Sequence, residues 1–215
     1  MQLDTPTLVT GAIVGIGAIL SAPVLYKGFS RRGTGVVYEQ NFLIQRAPQY
    51  STLLTAIVIT ASFMAANGHI PALPAMVLSL KGALPEAVSS TISWCGIAIL
   101  LSGMVFMIGG WYSLGDAFTT DAEVLDGHKV RKDGLLKFVM HPAYSGIIQC
   151  IFGSAVAAVS PIAVLLALFL VAPLWLNRAK YEEALLLESL GPEYKEYAEE
   201  MKWRRLVPKF FPIGV

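Results

Sequence analysis

Charge is what this sequence has least of. Only 14% of its 215 residues are Asp, Glu, Lys or Arg, against about 25% in an ordinary soluble domain. The formal net charge is +1, which excludes a nucleic-acid binder working through a large positive field. Cysteine is nearly absent. Cys95 and Cys150 both sit in apolar runs, so they make no disulfide scaffold and read as small core residues. There is no Gly-rich phosphate loop after a strand, no alternating strand pattern, and no His/Cys/Asp cluster with zinc spacing. What is present is 55% hydrophobic with a mean hydropathy of +0.60. That excludes a disordered chain and points to a small integral membrane protein of one domain, 1–215.

Stretches without a charged residue run over 5–26, 47–80, 87–115 and 138–177. A spanning helix needs about 20 mostly apolar residues, because the hydrocarbon core is roughly 30 Å thick. The first three stretches predict spans near Leu8–Tyr26, Ser51–Ala66 and Ser90–Tyr112. Asn67-Gly68-His69-Ile70-Pro71 breaks the second stretch, and Ala72–Leu80 beyond it is too short to cross, which suits a re-entrant or interfacial piece. The fourth stretch is too long for one helix and is interrupted by Ser160-Pro161. It predicts a hairpin of two spans, Ala143–Val159 and Ile162–Leu176. The expected fold is thus all-α with five transmembrane helices. Three N-terminal spans fill 1–112, and a polar loop, the C-terminal two-span hairpin and a helical tail fill 113–215. The first span lacks a basic leader and carries Asp4 before it, so it is expected to be retained rather than cleaved as a signal peptide.

The loop charges support this count. Lys27, Arg31, Arg32 and Arg46 follow the first span, and Lys129, Arg131, Lys132 and Lys137 follow the third. Seven more basic residues follow the fifth, while the intervening segments hold only Lys81. Five spans therefore put 15 of the 16 basic residues on one side. The positive-inside rule places the N-terminus outside and the tail in the cytoplasm. The tail predicts two short helices parted at Gly191-Pro192, where Gly stops one and Pro opens the next.

Two groups of residues border the hairpin. His141-Pro142-Ala143-Tyr144-Ser145-Gly146 opens the fourth span, where unpaired N–H groups favour an anion such as a carboxylate. An ordinary Pro-started helix with an interfacial His would read the same way. Arg178-Ala179-Lys180-Tyr181-Glu182-Glu183 leaves the fifth span, and its paired carboxylates suit a cation. An i,i+4 pair between Arg178 and Glu182 beside a solvated Glu183 is the plainer account. The hairpin returns both groups to one surface. A helix start for a carboxylate and a carboxylate pair for an ammonium are two halves of a site for a free amino acid. S-adenosylmethionine carries both of those groups, plus a sulfonium that acidic or aromatic neighbours stabilise.

The ordered set Gly134-x6-His141-Pro142-x-Tyr144-x-Gly146, then Arg178-x3-Glu182-Glu183-x7-Gly191-x-Glu193-Tyr194-x2-Tyr197, then Arg205-x2-Pro208 resembles the isoprenylcysteine carboxyl methyltransferases and the related phospholipid methyltransferases. The resemblance covers about 111–210. It implies S-adenosylmethionine as cofactor, no metal, and a lipophilic or lipid-anchored substrate reached from the membrane lipid. By position it implies that His141 and Tyr144, with Gly146 beside them, contact the amino-acid end and ribose side of the cofactor. Val130, Gly134 and Val139 would line the adenine side, and Glu182 or Glu183 would hold the ammonium. It further implies that Arg178 and Arg205, working beside Glu183, orient an anionic acceptor. The chain departs from the pattern at Met140, where relatives usually carry Arg, and at Gly134-Leu135-Leu136, where they often have Gly-Pro-Tyr.

The expected activity is methyl transfer to a carboxylate, in-line alignment supplying much of the rate. Phospholipid N-methylation and thiol S-methylation are alternatives within the superfamily. An NADPH-dependent membrane reductase of the sterol type and a non-catalytic membrane binding protein are alternatives outside it. The sequence does not name the acceptor or the oligomeric state.

Overall fold

A computed structural model describes residues 3–38, 41–201 and 205–206. Among these, the helices are α1 Thr5–Ser30, α2 Phe42–Gln45, α3 Ala47–Ala66, α4 Ala72–Leu78, α5 Glu86–Leu114, α6 Pro142–Ala157, α7 Pro161–Leu166, α8 Ala172–Leu190 and α9 Pro192–Glu200. A wide turn over Ala167–Val171 joins α7 to α8. Four helical runs are long and apolar enough to cross a membrane: Thr5–Ser30, Ala47–Ala66, Glu86–Ala117 and Pro161–Leu190. They mark an integral membrane protein. The basic tail residues Lys202, Arg204 and Lys209, and Pro208 of the motif set, lie outside the described residues.

The structure differs from the sequence expectation in three places. The helix expected to end at Val159 stops at Ala157. Val159 takes a φ of 50°, and the Ser160 hydroxyl caps the next helix by accepting from the Ala163 N–H. At 16 residues α6 is shorter than the four long runs. Second, no break separates the expected last span from the tail: the helical run continues to Leu190. It ends at Gly191, whose φ of 59° suits glycine. Third, two short strands occur, β1 Val37–Tyr38 and β2 Glu123–Val124, paired antiparallel with Val37 opposite Val124.

The chain divides into two compact units. The first takes Met1–Ile19, Gln49–Met104 and Ile148–Pro173. Within it α5 and α6 approach backbone to backbone. A Cβ on Gly96 would meet the Gly153 carbonyl at 2.6 Å, and one on Gly103 the Cys150 nitrogen at 2.6 Å. Small residues permit such contact between apolar helices. The apolar segment 72–80 braces the turn before α7. The Ser79 hydroxyl donates to the Ala158 carbonyl at 2.7 Å and the Leu80 N–H to the Val159 carbonyl at 2.9 Å. The N-terminus meets the segments after α3 and α4: the Asp4 N–H donates to Asn67 at 2.7 Å, and Lys81 pairs with the Asp4 carboxylate.

The second unit takes Leu20–Pro48, Val105–Ile147 and Leu174–Val215. Here the segment after α1 meets the segment after α5. Asp121, with a side chain 1% exposed, accepts both terminal nitrogens of Arg46, at 2.7 and 3.0 Å, and Nε of Arg32 at 3.1 Å. Burial raises the Asp121 carboxyl, but the hydrogen bonds from Arg46 and Arg32 outweigh it and hold the group below the usual carboxylate range. Glu123 accepts the Gly33 and Gly35 N–H groups at 3.1 and 2.8 Å. Gln45 grips Ala122 from both ends, its Nε2 donating to the carbonyl at 3.3 Å and its Oε1 accepting the N–H at 2.8 Å. Arg31 adds an ion pair with Asp116 at 2.8 Å. Segments of opposite charge far apart in sequence are thus stitched into one polar layer.

Candidate active site

The start of α6 and the first half of α8 face one another within the second unit. Pro142 opens α6 and sets His141 just outside it. Tyr144 follows within the first turn. On α8, Trp175, Arg178 and Glu182 recur at three- and four-residue steps, so they share one helix face.

Tyr144 donates its hydroxyl to Glu182 Oε1 in a short contact. Arg178 Nε donates to the same oxygen at 3.0 Å and to the Tyr144 hydroxyl at 3.1 Å. Its terminal nitrogens donate to the Gln45 carbonyl at 3.4 Å and the Thr120 carbonyl at 3.0 Å. Arg178 is only 2% exposed, and its guanidinium lies over the Trp175 and Tyr144 rings at 5.5 and 5.7 Å. A guanidinium so far from water is tolerable only because carbonyls, a hydroxyl and a carboxylate replace its hydration.

Glu183 has different company. Arg205 approaches it as a fork, Nε to Oε1 at 2.5 Å and Nη2 to Oε2 at 2.7 Å. His141 Nε2 lies 3.1 Å from Oε1. The His141 N–H, at the helix start, donates to the Arg205 carbonyl at 2.9 Å. The His141 and Tyr144 rings stack 5.4 Å apart and nearly parallel, linking the two carboxylate groups. The Glu183 hydrogen bonds raise the Arg205 pKa above its ordinary value.

The fold therefore brings His141, Tyr144, Arg178, Glu182, Glu183 and Arg205 together. Val130 packs against a buried cluster of Met140, Tyr194, Tyr197 and Met201. Val139 is fully buried. Gly134 has a φ of 54° and rests on the Ser113 side chain, whose hydroxyl accepts the Leu135 N–H at 3.0 Å. Gly146 is buried in α6. Met140 anchors the tail: the Tyr194 hydroxyl reaches its sulfur at 3.9 Å, and Tyr197 donates to the Leu136 carbonyl at 3.0 Å. Burial pushes the Tyr197 hydroxyl up to about 12.

Sequence reasoning missed Gln45, Thr120 and Trp175. Trp175 stands three residues before Arg178, so its place on the same face was readable. Gln45 and Thr120 act through backbone carbonyls, which no residue pattern announces. Among the described residues, Thr120 Oγ1 and His128 Nδ1 are buried polar atoms with no hydrogen-bond partner. Burial lowers the His128 pKa and Arg131 adds to this, while the charge of Glu182 opposes both.

Residues 96–188 match the isoprenylcysteine carboxyl methyltransferase family. A probable protein-S-isoprenylcysteine O-methyltransferase from Oryza sativa subsp. indica is 27% identical over 112 residues, 51% of this chain and 59% of the relative. Protein-S-isoprenylcysteine O-methyltransferase B from Arabidopsis thaliana is 27% identical, over 51% of this chain and 57% of its own length. The chain thus spans somewhat more than half the length of these relatives. The likeness to the isoprenylcysteine carboxyl methyltransferase superfamily, read from the ordered motifs, is borne out by this match over 96–188.

Proposed function

We propose that the protein is a membrane methyltransferase that uses S-adenosylmethionine to methylate a carboxylate on a lipophilic or lipid-anchored acceptor. The observation that carries this reading is the pair Glu182 and Glu183 set against the start of α6. The description of the matching family supplies the acceptor class, the carboxyl of an isoprenylcysteine.

The donor set fits the cofactor. Glu183 offers a carboxylate for the ammonium, and the His141 N–H offers a place for the carboxylate; Arg205 meets both groups. Thr120 Oγ1 and His128 Nδ1 are buried polar atoms that a ribose hydroxyl or a ring nitrogen could satisfy. The cofactor supplies a methyl group on a sulfonium, already activated for transfer to an ionised oxygen. Glu182, locked by Tyr144 and Arg178, sets the position of the site. Arg178, buried and bonded through all three guanidinium nitrogens, positions its neighbours, and Arg205 orients the acceptor carboxylate in this reading. Val130, Gly134 and Val139 serve the adenine side, and Gly146 lets the ligand approach α6.

In the membrane we propose five spans. α6 and the run from Pro161 form a C-terminal hairpin, the N-terminus lies outside and the tail is cytoplasmic. The segments after α1 and after α5 are joined by ion pairs, as the N-terminus is joined to Lys81. Both joins agree with alternate loops sharing a side.

The test is calorimetric titration of the detergent-purified chain with S-adenosylmethionine, followed by labelled methyl transfer in membranes. Binding with a base-labile labelled product is expected. A melting shift with NADPH alone would favour the reductase, and no binding of either would favour a non-catalytic protein.

A further inference from the structure

We infer that Gln45 is a positioning residue for the cofactor site, acting through Arg178 on Glu182; the inference rests on the methyltransferase reading. Gln45 lies outside the family match at 96–188, on the short helix α2 before the second long helix, and is 2% exposed. Its backbone carbonyl accepts one terminal nitrogen of Arg178 at 3.4 Å. Its side chain clamps both backbone groups of Ala122. Two residues before Ala122, the Thr120 carbonyl accepts the other terminal nitrogen of Arg178 at 3.0 Å.

One residue therefore governs both carbonyls that fix the plane of the Arg178 guanidinium. A guanidinium is a rigid planar fork, so fixing its two terminal nitrogens fixes the direction of Nε. That Nε donates to Glu182 Oε1 and to the Tyr144 hydroxyl. The neighbouring salt bridges of Asp121 with Arg32 and Arg46 hold the same segment in place. Small displacements of a supporting contact degrade a binding site even when the contacting residue is intact. The N-terminal half thus sets the aim of a carboxylate carried by the C-terminal half.

The experiment is a double-variant cycle on the full chain in detergent, using Gln45→Met, Glu182→Gln and both together. Affinity for S-adenosylmethionine and for unreactive S-adenosylhomocysteine is read by calorimetry, and kcat is read at saturating cofactor. Each single variant is expected to weaken both ligands by about tenfold. The double variant should lose about tenfold as well, because the two act in series. The kcat of Gln45→Met should change less than twofold. Should Gln45→Met not yield folded protein, Gln45→Glu keeps an acceptor for the Ala122 N–H and replaces it. Losses that multiply to about a hundredfold, or an unaffected Gln45 variant beside a binding wild type, overturn this inference alone. A wild-type protein that binds neither ligand overturns the methyltransferase reading together with the inference.

Discussion

Glu182 and Glu183 are adjacent in the chain, and the fold treats them differently. Glu182 is bound by residues from α6 and α8, through an arginine that is itself held by two loop carbonyls. Glu183 is bound by His141 and by Arg205, which follows the last helix. The first carboxylate is part of the framework. The second is held by the Arg205 fork and by His141 Nε2, and on the proposed reading an ammonium takes the place of the fork. The alternation of helix faces produces this division, because consecutive residues on a helix point about 100° apart.

The comparison can be broken most forcefully at Arg178. Arg178→Ala leaves Glu182 and Tyr144 in a buried place without their cation, a loss of about 3–5 kcal/mol. The thermal midpoint in detergent should fall by about 10 °C. A fall no larger than that of Arg205→Ala would erase the distinction drawn between the two carboxylates.

Asp121 offers a framework carboxylate in the polar layer, and it tests the same idea through pH. Its folded pKa is depressed by Arg46 and Arg32 against the raising effect of burial. Its stabilisation is therefore complete above the ordinary carboxylate value and disappears as pH falls through the lower folded value. The gap in midpoint between wild type and Asp121→Asn should be constant from about pH 6 to 8 and close only below about pH 4. A gap that closes near neutrality would show that another group is responsible.

At Glu183 the expected effects move from stability to binding. Glu183→Gln should weaken S-adenosylmethionine by roughly tenfold or more while shifting the midpoint by only a few degrees. Arg205→Ala should lower turnover without weakening the cofactor, since it removes a competitor for Glu183; a loss of affinity there would assign Arg205 to the cofactor instead. The smallest effect is expected at Met140→Leu, a volume-conserving change costing less than about 1.5 kcal/mol, read as a modest drop in midpoint with unchanged affinity.

The long helices were legible because bilayer crossing needs runs free of charge, and the sequence separates such runs sharply. The partition of Lys and Arg put the segments after the first and third spans on one side, but the pairing of Arg32 and Arg46 with Asp121 was not legible in it. The stop of α8 before Gly191 was legible; the end of α6 and the unbroken join of the expected last span to the tail helix were not. Val159 adopts a backbone conformation that its residue type disfavours, and the apolar-to-polar change near Asn177 carries no helix stop. His141, Tyr144, Glu182 and Glu183 could be paired as groups, but not partner by partner. Which carboxylate takes Arg178 and which takes Arg205 depends on helix phase and on the path of the tail. Met140 looked like a missing arginine; in the fold it is a sulfur packed against Tyr194 and Tyr197.

The arginine pairing at the two carboxylates has an electrical consequence. Arg178 and Arg205 bring two positive charges, and Glu182 and Glu183 bring two negative ones. These four groups cancel before any ligand arrives. Long-range attraction by net charge raises encounter rates where a cleft carries one sign, and this cluster carries neither. On the proposed reading, recognition falls to the spacing of donors and acceptors at contact distance, and salt should alter how often a charged ligand arrives far less than it would at a cleft of single sign.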